Sequence, residues 1–177
     1  MTADGSAGPL ETVRLLRIPL AAQVRSTQHF DELMREFALI SMDTDRARPA
    51  DDVARPVPER LLALVDELTT SFSAFTAAVT AERDEAISRG DSEIDLTYHL
   101  PATVVAACHE LEDIFTEVDD YCRSGQHLIT LATPPESIAF RRWYLGEFVA
   151  QIEQRREPLT WPDYVAEHHQ DADWVKV

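Results

Sequence analysis

The chain has 177 residues, 45% of them hydrophobic and 27% charged, and a formal net charge of −16. That is enough chain and apolar content for one domain with a true core, and it carries the wrong sign for a basic footprint on nucleic acid or an anionic membrane. Fifteen arginines, one lysine (Lys176) and no asparagine exclude N-glycosylation and any Asn ligand, while five glycines form neither a phosphate loop nor a dinucleotide fingerprint.

Residues 1–11 read as a disordered lead, with no basic segment followed by an apolar one. "VRLLRIPL" (13–20) is a short strand that stops at Pro19. A helix follows to about Met42, with Phe30, Leu33, Met34, Phe37 and Ile40 on one side. The charged, proline-rich segment 43–58 is expected to be a loop. Pro58 then suits the first turn of a long helix over 58–89, closed by Gly90. Its stripe of Leu61, Val65, Leu68, Phe72, Phe75 and Val79 alternates spacings of three and four, which implies a neighbouring helix at a shallow angle.

"SEIDLTYHL" (92–100) alternates apolar and polar residues, a half-buried strand. Pro101 opens a helix over 102–123 with Val104, Cys108, Leu111, Phe115, Val118 and Cys122 as its stripe, ended by Gly125. The two cysteines share that face about 21 Å apart, too far for a disulfide, and are expected as buried free thiols. "HLITLAT" (127–133) is a third candidate strand, and Pro134 and Pro135 start a last helix with a core side from Ile138 through Leu145, Phe148 and Val149 to Ile152. Residues 158–177 read as a tail. Fourteen residues beyond Pro19, Pro101 and Pro134 lie Leu33, Phe115 and Phe148, so a strand–proline–helix unit repeats three times. The expected fold is α+β and predominantly helical: about four helices, one of them long (58–89), with a small sheet of two or three short strands in a single domain over 12–157.

The acidic runs 81–95 and 109–120 are expected to be solvated helix faces. No apolar run is taken to reach membrane-spanning length, and a cytoplasmic protein is expected. No nucleophile elbow is present, and Cys108 and His109, adjacent on a helix, point about 100° apart. No catalytic residue and no cofactor is therefore assigned. Two His-x-x-Glu pairs, His29 with Glu32 and His109 with Glu112, place metal-ligating groups on single helix faces, as two-metal helical bundles do. Such a site needs further carboxylates, for which Glu67 and Glu147 are the candidates, and "EHHQD" (167–171) has the composition of a surface metal patch.

Arg141, Arg142, Trp143 and Tyr144 span a full helical turn, so they cannot all face one way. One alternative is internal: the arginines neutralise the acidic helix 102–123 and Trp143 covers a core edge. The other is a docking site for a partner protein built from Arg141, Arg142 and Trp143, residue types enriched in binding cores. A third use of the fold is a small-molecule pocket between the sheet and the long helix. The stripes on 58–89 and 102–123 suit an internal bundle or a homodimer equally.

The strings "LLRIPL", "HFDELMREFALI", "DLTYHLP" and "LATPPESIAFRRWYLGEFVAQI" together resemble a family of small actinobacterial proteins found among partner-switching regulators: serine phosphatases, anti-sigma kinases and anti-anti-sigma proteins. The likeness covers most of residues 13–152 and implies an accessory or sensory role in sigma-factor control, with no catalytic residues attached. The chain has neither the Asn nor the D-x-G-x-G of an anti-sigma kinase, and the long helix fits an anti-anti-sigma domain poorly. The expected function is thus a cytosolic regulatory module that binds another protein, of anti-sigma or phosphatase type. A metal-binding helical protein or a small-molecule sensor are the alternatives.

Overall fold

The computed structural model describes residues 9–47, 56–123 and 133–168. The chain is α+β: β1 (Leu10–Pro19), α1 (Leu20–Ala47), α2 (Val57–Arg89), β2 (Glu93–Pro101), α3 (Val104–Arg123), α4 (Pro135–Ile152) and α5 (Trp161–Glu167). The two strands pair antiparallel, with Val13 opposite Tyr98 and Leu15 opposite Leu96. Leu10 and Glu11, expected in the lead, belong to this ladder. The third candidate strand, 127–133, falls almost wholly outside the described residues.

Val13, Leu15 and Ile18 are all buried, although strict alternation would turn Ile18 to the other face. A bulge between Leu15 and Ile18 resolves this by adding one residue to β1. Arg17 takes the left-handed conformation there, φ 54°, and its backbone N–H donates to Asp95 Oδ1 at 2.7 Å. Pro19 ends the strand and Leu20 begins α1 at once, its N–H held by the Ser92 carbonyl at 3.1 Å.

The long helix forms as its punctuation demands. Pro56 and Pro58 sit at its start, and Gly90 closes it in the left-handed conformation, φ 77°, where a side chain would be strained. An 18-residue window of α2 has a mean hydropathy of 1.2 and is 11% buried, so by length and composition this helix does reach a membrane-spanning size, contrary to the expectation. It nevertheless packs on α1, α3 and β2, and sends Leu61, Leu64 and Val79 into the core. Its remaining stripe residues, Val65, Leu68, Phe72 and Phe75, are only half-buried.

The core is in two parts. One cluster joins the inner face of the sheet to α3, α4 and α5 through Val13, Leu96, Tyr98, Cys108, Trp143 and Trp161. The other joins α1, α2 and α3 through Leu33, Phe37, Leu61, Leu64, Ile114 and Val118. Cys108 belongs to the first cluster and Cys122 to the second; both are buried and free, and burial pushes the Cys108 thiol up to about 12.

The segment beyond residue 157, expected as a tail, instead turns back onto the domain. Thr160 caps α5 by accepting from the Asp163 N–H at 3.3 Å, and Trp161 packs against both Phe140 and Trp143 with ring centroids 5.5 Å apart. Three aromatic rings decide this, because a Trp left in water forfeits a large apolar burial.

Candidate functional site

Between the two clusters lies an open cavity of about 380 Å³, bordered by α1, α2, α3 and α4. A pocket between the sheet and the long helix was the third alternative; the one present lies among the helices, with Val65, Leu68 and Thr69 as the share of α2. The walls differ in chemistry. Leu111 and Phe115 of α3 continue the apolar wall that α2 begins. The opposite wall is mixed: α1 adds Gln23, Ser26 and His29 to Phe30 and Leu33, and the start of α4 adds Ser137 and Arg141 to Phe140 and Tyr144.

Three polar groups of that wall, His29, Thr133 and Arg141, and Asp119 of α3 behind them satisfy one another. Arg141 Nη2 donates to Asp119 Oδ2 at 2.7 Å, and the Thr133 hydroxyl donates to Asp119 Oδ1 at 2.7 Å. The Thr133 proton is thereby committed, so its oxygen accepts from His29 Nε2 at 3.3 Å, which requires the proton to sit on that nitrogen. Burial lowers the pKa of His29, and the nearby Glu32 and Asp119 only partly oppose that, so the ring is held neutral. The Arg141 guanidinium also lies over the Phe115 ring, 4.4 Å from its centroid. The wall therefore presents no net charge.

Tyr144 closes the sheet side of the cavity. Its hydroxyl meets that of Tyr98 at 2.5 Å, and burial raises the pKa of both phenols, that of Tyr144 well above the usual value.

Two groups on the α1 wall are left over. Gln23 is 7% exposed, and among the described residues neither its buried Oε1 nor the buried Ser26 hydroxyl oxygen has a hydrogen-bond partner. An interior polar atom without a partner lowers stability, so evolution ordinarily supplies one.

Of the residues singled out as a docking site, Trp143 is corrected outright. It is 1% exposed, and its indole N–H donates to the Leu159 carbonyl at 2.9 Å. The buried side of α4 runs through Phe140, Trp143 and Glu147 as well as Phe148 and Ile152, because the helix packs against α1, α3 and β1 and so is covered on several sides. Arg141 is consumed by Asp119 of the acidic helix α3, the internal alternative. Arg142 remains exposed, 60% of its side chain in solvent, with Glu112 at 3.9 Å.

The metal candidates do not converge. His29 faces Thr133, whereas His109 lies 3.9 Å from Glu153, and Glu112 is directed at Arg142. Glu147, the proposed bridging ligand, is instead held by Arg156, by Gln151 at 2.8 Å and by the Leu159 N–H at 3.0 Å. Among the described residues no three His, Cys, Asp or Glu side chains come close enough to hold a metal ion. "EHHQD" lies partly outside the described residues.

The residues that matter most for the cavity, Gln23 and Ser26, were not singled out from the sequence, yet a signal exists. Positions 23, 26, 30, 33 and 37 form one stripe at alternating spacings of three and four, and polar side chains occupy its first two places.

Comparison with protein-family models, with curated proteins and with solved structures found no match.

Proposed function

We propose that the chain is a regulatory binding module that holds a small, mainly apolar molecule between its four long helices. One observation carries this reading: a cleft of about 380 Å³ among α1, α2, α3 and α4 that is lined mainly by apolar side chains. Cavities for small molecules commonly measure about 300–1,000 Å³ and combine apolar walls with a few convergent polar groups. The cavity also touches both core clusters, so an occupant would bridge packing that is otherwise divided. The regulatory role rests on the resemblance to proteins of partner-switching systems. The test is titration with Nile red, a neutral apolar dye, in the intact protein and in Leu68→Trp, which fills the α2 wall. Saturable one-to-one binding that the substitution abolishes supports the reading; no binding, or binding indifferent to Leu68→Trp, contradicts it.

A second reading, docking of another protein, is favoured by Arg142, the one member of the arginine–tryptophan cluster that remains largely in solvent. Pull-down of anti-sigma or phosphatase-type regulators with the protein and with Arg142→Glu tests it, and capture that is absent or unchanged by the reversal removes this surface.

A further inference from the structure

We infer that the cavity selects a neutral aromatic molecule, whose flat ring system packs among two pairs of aromatic side chains and the Arg141 guanidinium. This rests on the reading of the cavity as a ligand site and adds the chemical class of its occupant.

Three observations narrow that class. The first is the distribution of rings. Phe30 of α1 and Phe115 of α3 both line the cavity and meet edge to face, with centroids 5.9 Å apart and planes inclined by 67°. Phe140 and Tyr144 of α4 line it as well, 5.9 Å apart and inclined by 45°. Two rings so inclined cannot show the same aspect to a guest beside both of them. The guest therefore meets positive ring edges and negative ring faces together, and a ring system with its own edge and face complements both. A saturated ring of the same size gains burial alone.

The second is the cation already stacked on one of these rings. The Arg141 guanidinium lies over Phe115, 4.4 Å from the ring centroid, and both residues line the cavity. A guanidinium is planar: it hydrogen-bonds through its edge and stacks through its face. Its bond to Asp119 runs from the edge, at Nη2. A guest ring can thus share the cation without loosening it from Asp119.

The third is charge. Among the described residues that line the cavity, Arg141 alone carries a permanent charge. Its partner Asp119 has both oxygens engaged, one by Arg141 and the other by Thr133. An anionic ligand would have to compete with Asp119 for the guanidinium, and a cationic one would have to displace Arg141 from Asp119. Either exchange breaks a largely buried, hydrogen-bonded pair, whose side chains are 17% and 9% exposed. A neutral ligand leaves it intact.

Calorimetric titration of the full chain with four probes of one skeleton tests this: 2-naphthylmethanol, its saturated counterpart decahydro-2-naphthylmethanol, the 2-naphthoate anion and the 2-naphthylmethylammonium cation. The saturated alcohol has the same carbons and hydroxyl and at least as much apolar surface, so burial alone would rank it equal or higher. The expected result is 2-naphthylmethanol binding about fivefold more tightly than the saturated alcohol, the gain of one good aromatic pair, with both ions weaker. Phe115→Leu removes the ring that joins Phe30 to Arg141, and the preference should fall toward one while the saturated alcohol still binds. That retained binding shows the variant to be folded. Should Phe115→Leu fail to fold, Phe30→Leu removes the other half of the same pair and should lower the preference. A preference that survives in the folded variants, or equal or tighter binding of the saturated alcohol to the unaltered protein, overturns the aromatic class while the cavity stands as a ligand site. Failure of all four probes overturns both readings. Tightest binding of either ion shows that the Arg141–Asp119 pair opens and overturns the neutral class.

Discussion

Glu147 and Gln23 are both deeply buried, 1% and 7% exposed, on two helices that pack against each other, and their surroundings are opposite. The Glu147 carboxylate accepts from Arg156, Gln151 and the Leu159 N–H, and the Leu159 carbonyl in turn takes the Trp143 indole proton. Gln151 extends the network to β1, giving its amide proton to the Arg14 carbonyl and accepting the Arg14 N–H at 2.8 and 2.9 Å. That corner is closed: it locks the chain after α4 onto the sheet and positions α5. At Gln23 the carbonyl oxygen is packed out of reach of solvent and, among the described residues, has no partner. Burial of a polar side chain is thus ambiguous by itself. Where its partners are all present it builds the fold, and where one is missing it costs stability.

Substitutions at the two places should separate these roles. The largest effect belongs to the closed corner: Trp143→Ala removes a ring packed on Phe140 and Trp161 and should cost about 3–5 kcal/mol of unfolding free energy, read by denaturant titration. Had Trp143 been a surface contact, the loss would be within experimental scatter. Glu147→Ala should follow at about 3 kcal/mol, because it strips three donors of their acceptor. Gln23→Met should move the other way, raising stability by about 1 kcal/mol, since an orphan acceptor is replaced by an apolar side chain of similar length. A loss at Gln23 comparable to that at Glu147 would erase the distinction.

The smallest effect is a pH dependence. Burial lowers the pKa of His29 below its usual 6.5, so the folded state resists a proton that the unfolded chain accepts. The stability this confers is complete above that unfolded value and is lost as pH falls through the folded one. Subtracting the stability–pH curve of His29→Gln from that of the unaltered protein should leave a difference that changes only within that window, and a flat difference would place the imidazole outside the network.

Much of this fold was legible because its punctuation is local. Pro58, Gly90 and the Pro134–Pro135 pair each mark a helix end by backbone geometry alone, and the alternation in "SEIDLTYHL" depends on nothing distant. The bulge at Arg17 was not legible, since it exists to bring Ile18 to the same face as Leu15 and is specified by Asp95 across the ladder. Trp143 was misplaced for a related reason. Stripe reasoning assumes one buried side, and α4 is covered by several elements at once. The docking of Trp161 required knowing that Phe140 and Trp143 would be waiting for it. The cavity was the least visible feature, because a void is a property of how four helices meet; only the polar start of the stripe at Gln23 and Ser26 hinted at it.

The most direct measurement of the central claim is a set of intermolecular nuclear Overhauser effects between Nile red and the isotopically labelled protein. Ring protons in contact with the methyl groups of Leu33, Leu68 and Leu145, together with a shifted Gln23 side-chain amide, are the predicted result. Contacts confined to the exposed Leu39 and Met42 of α1 would contradict it.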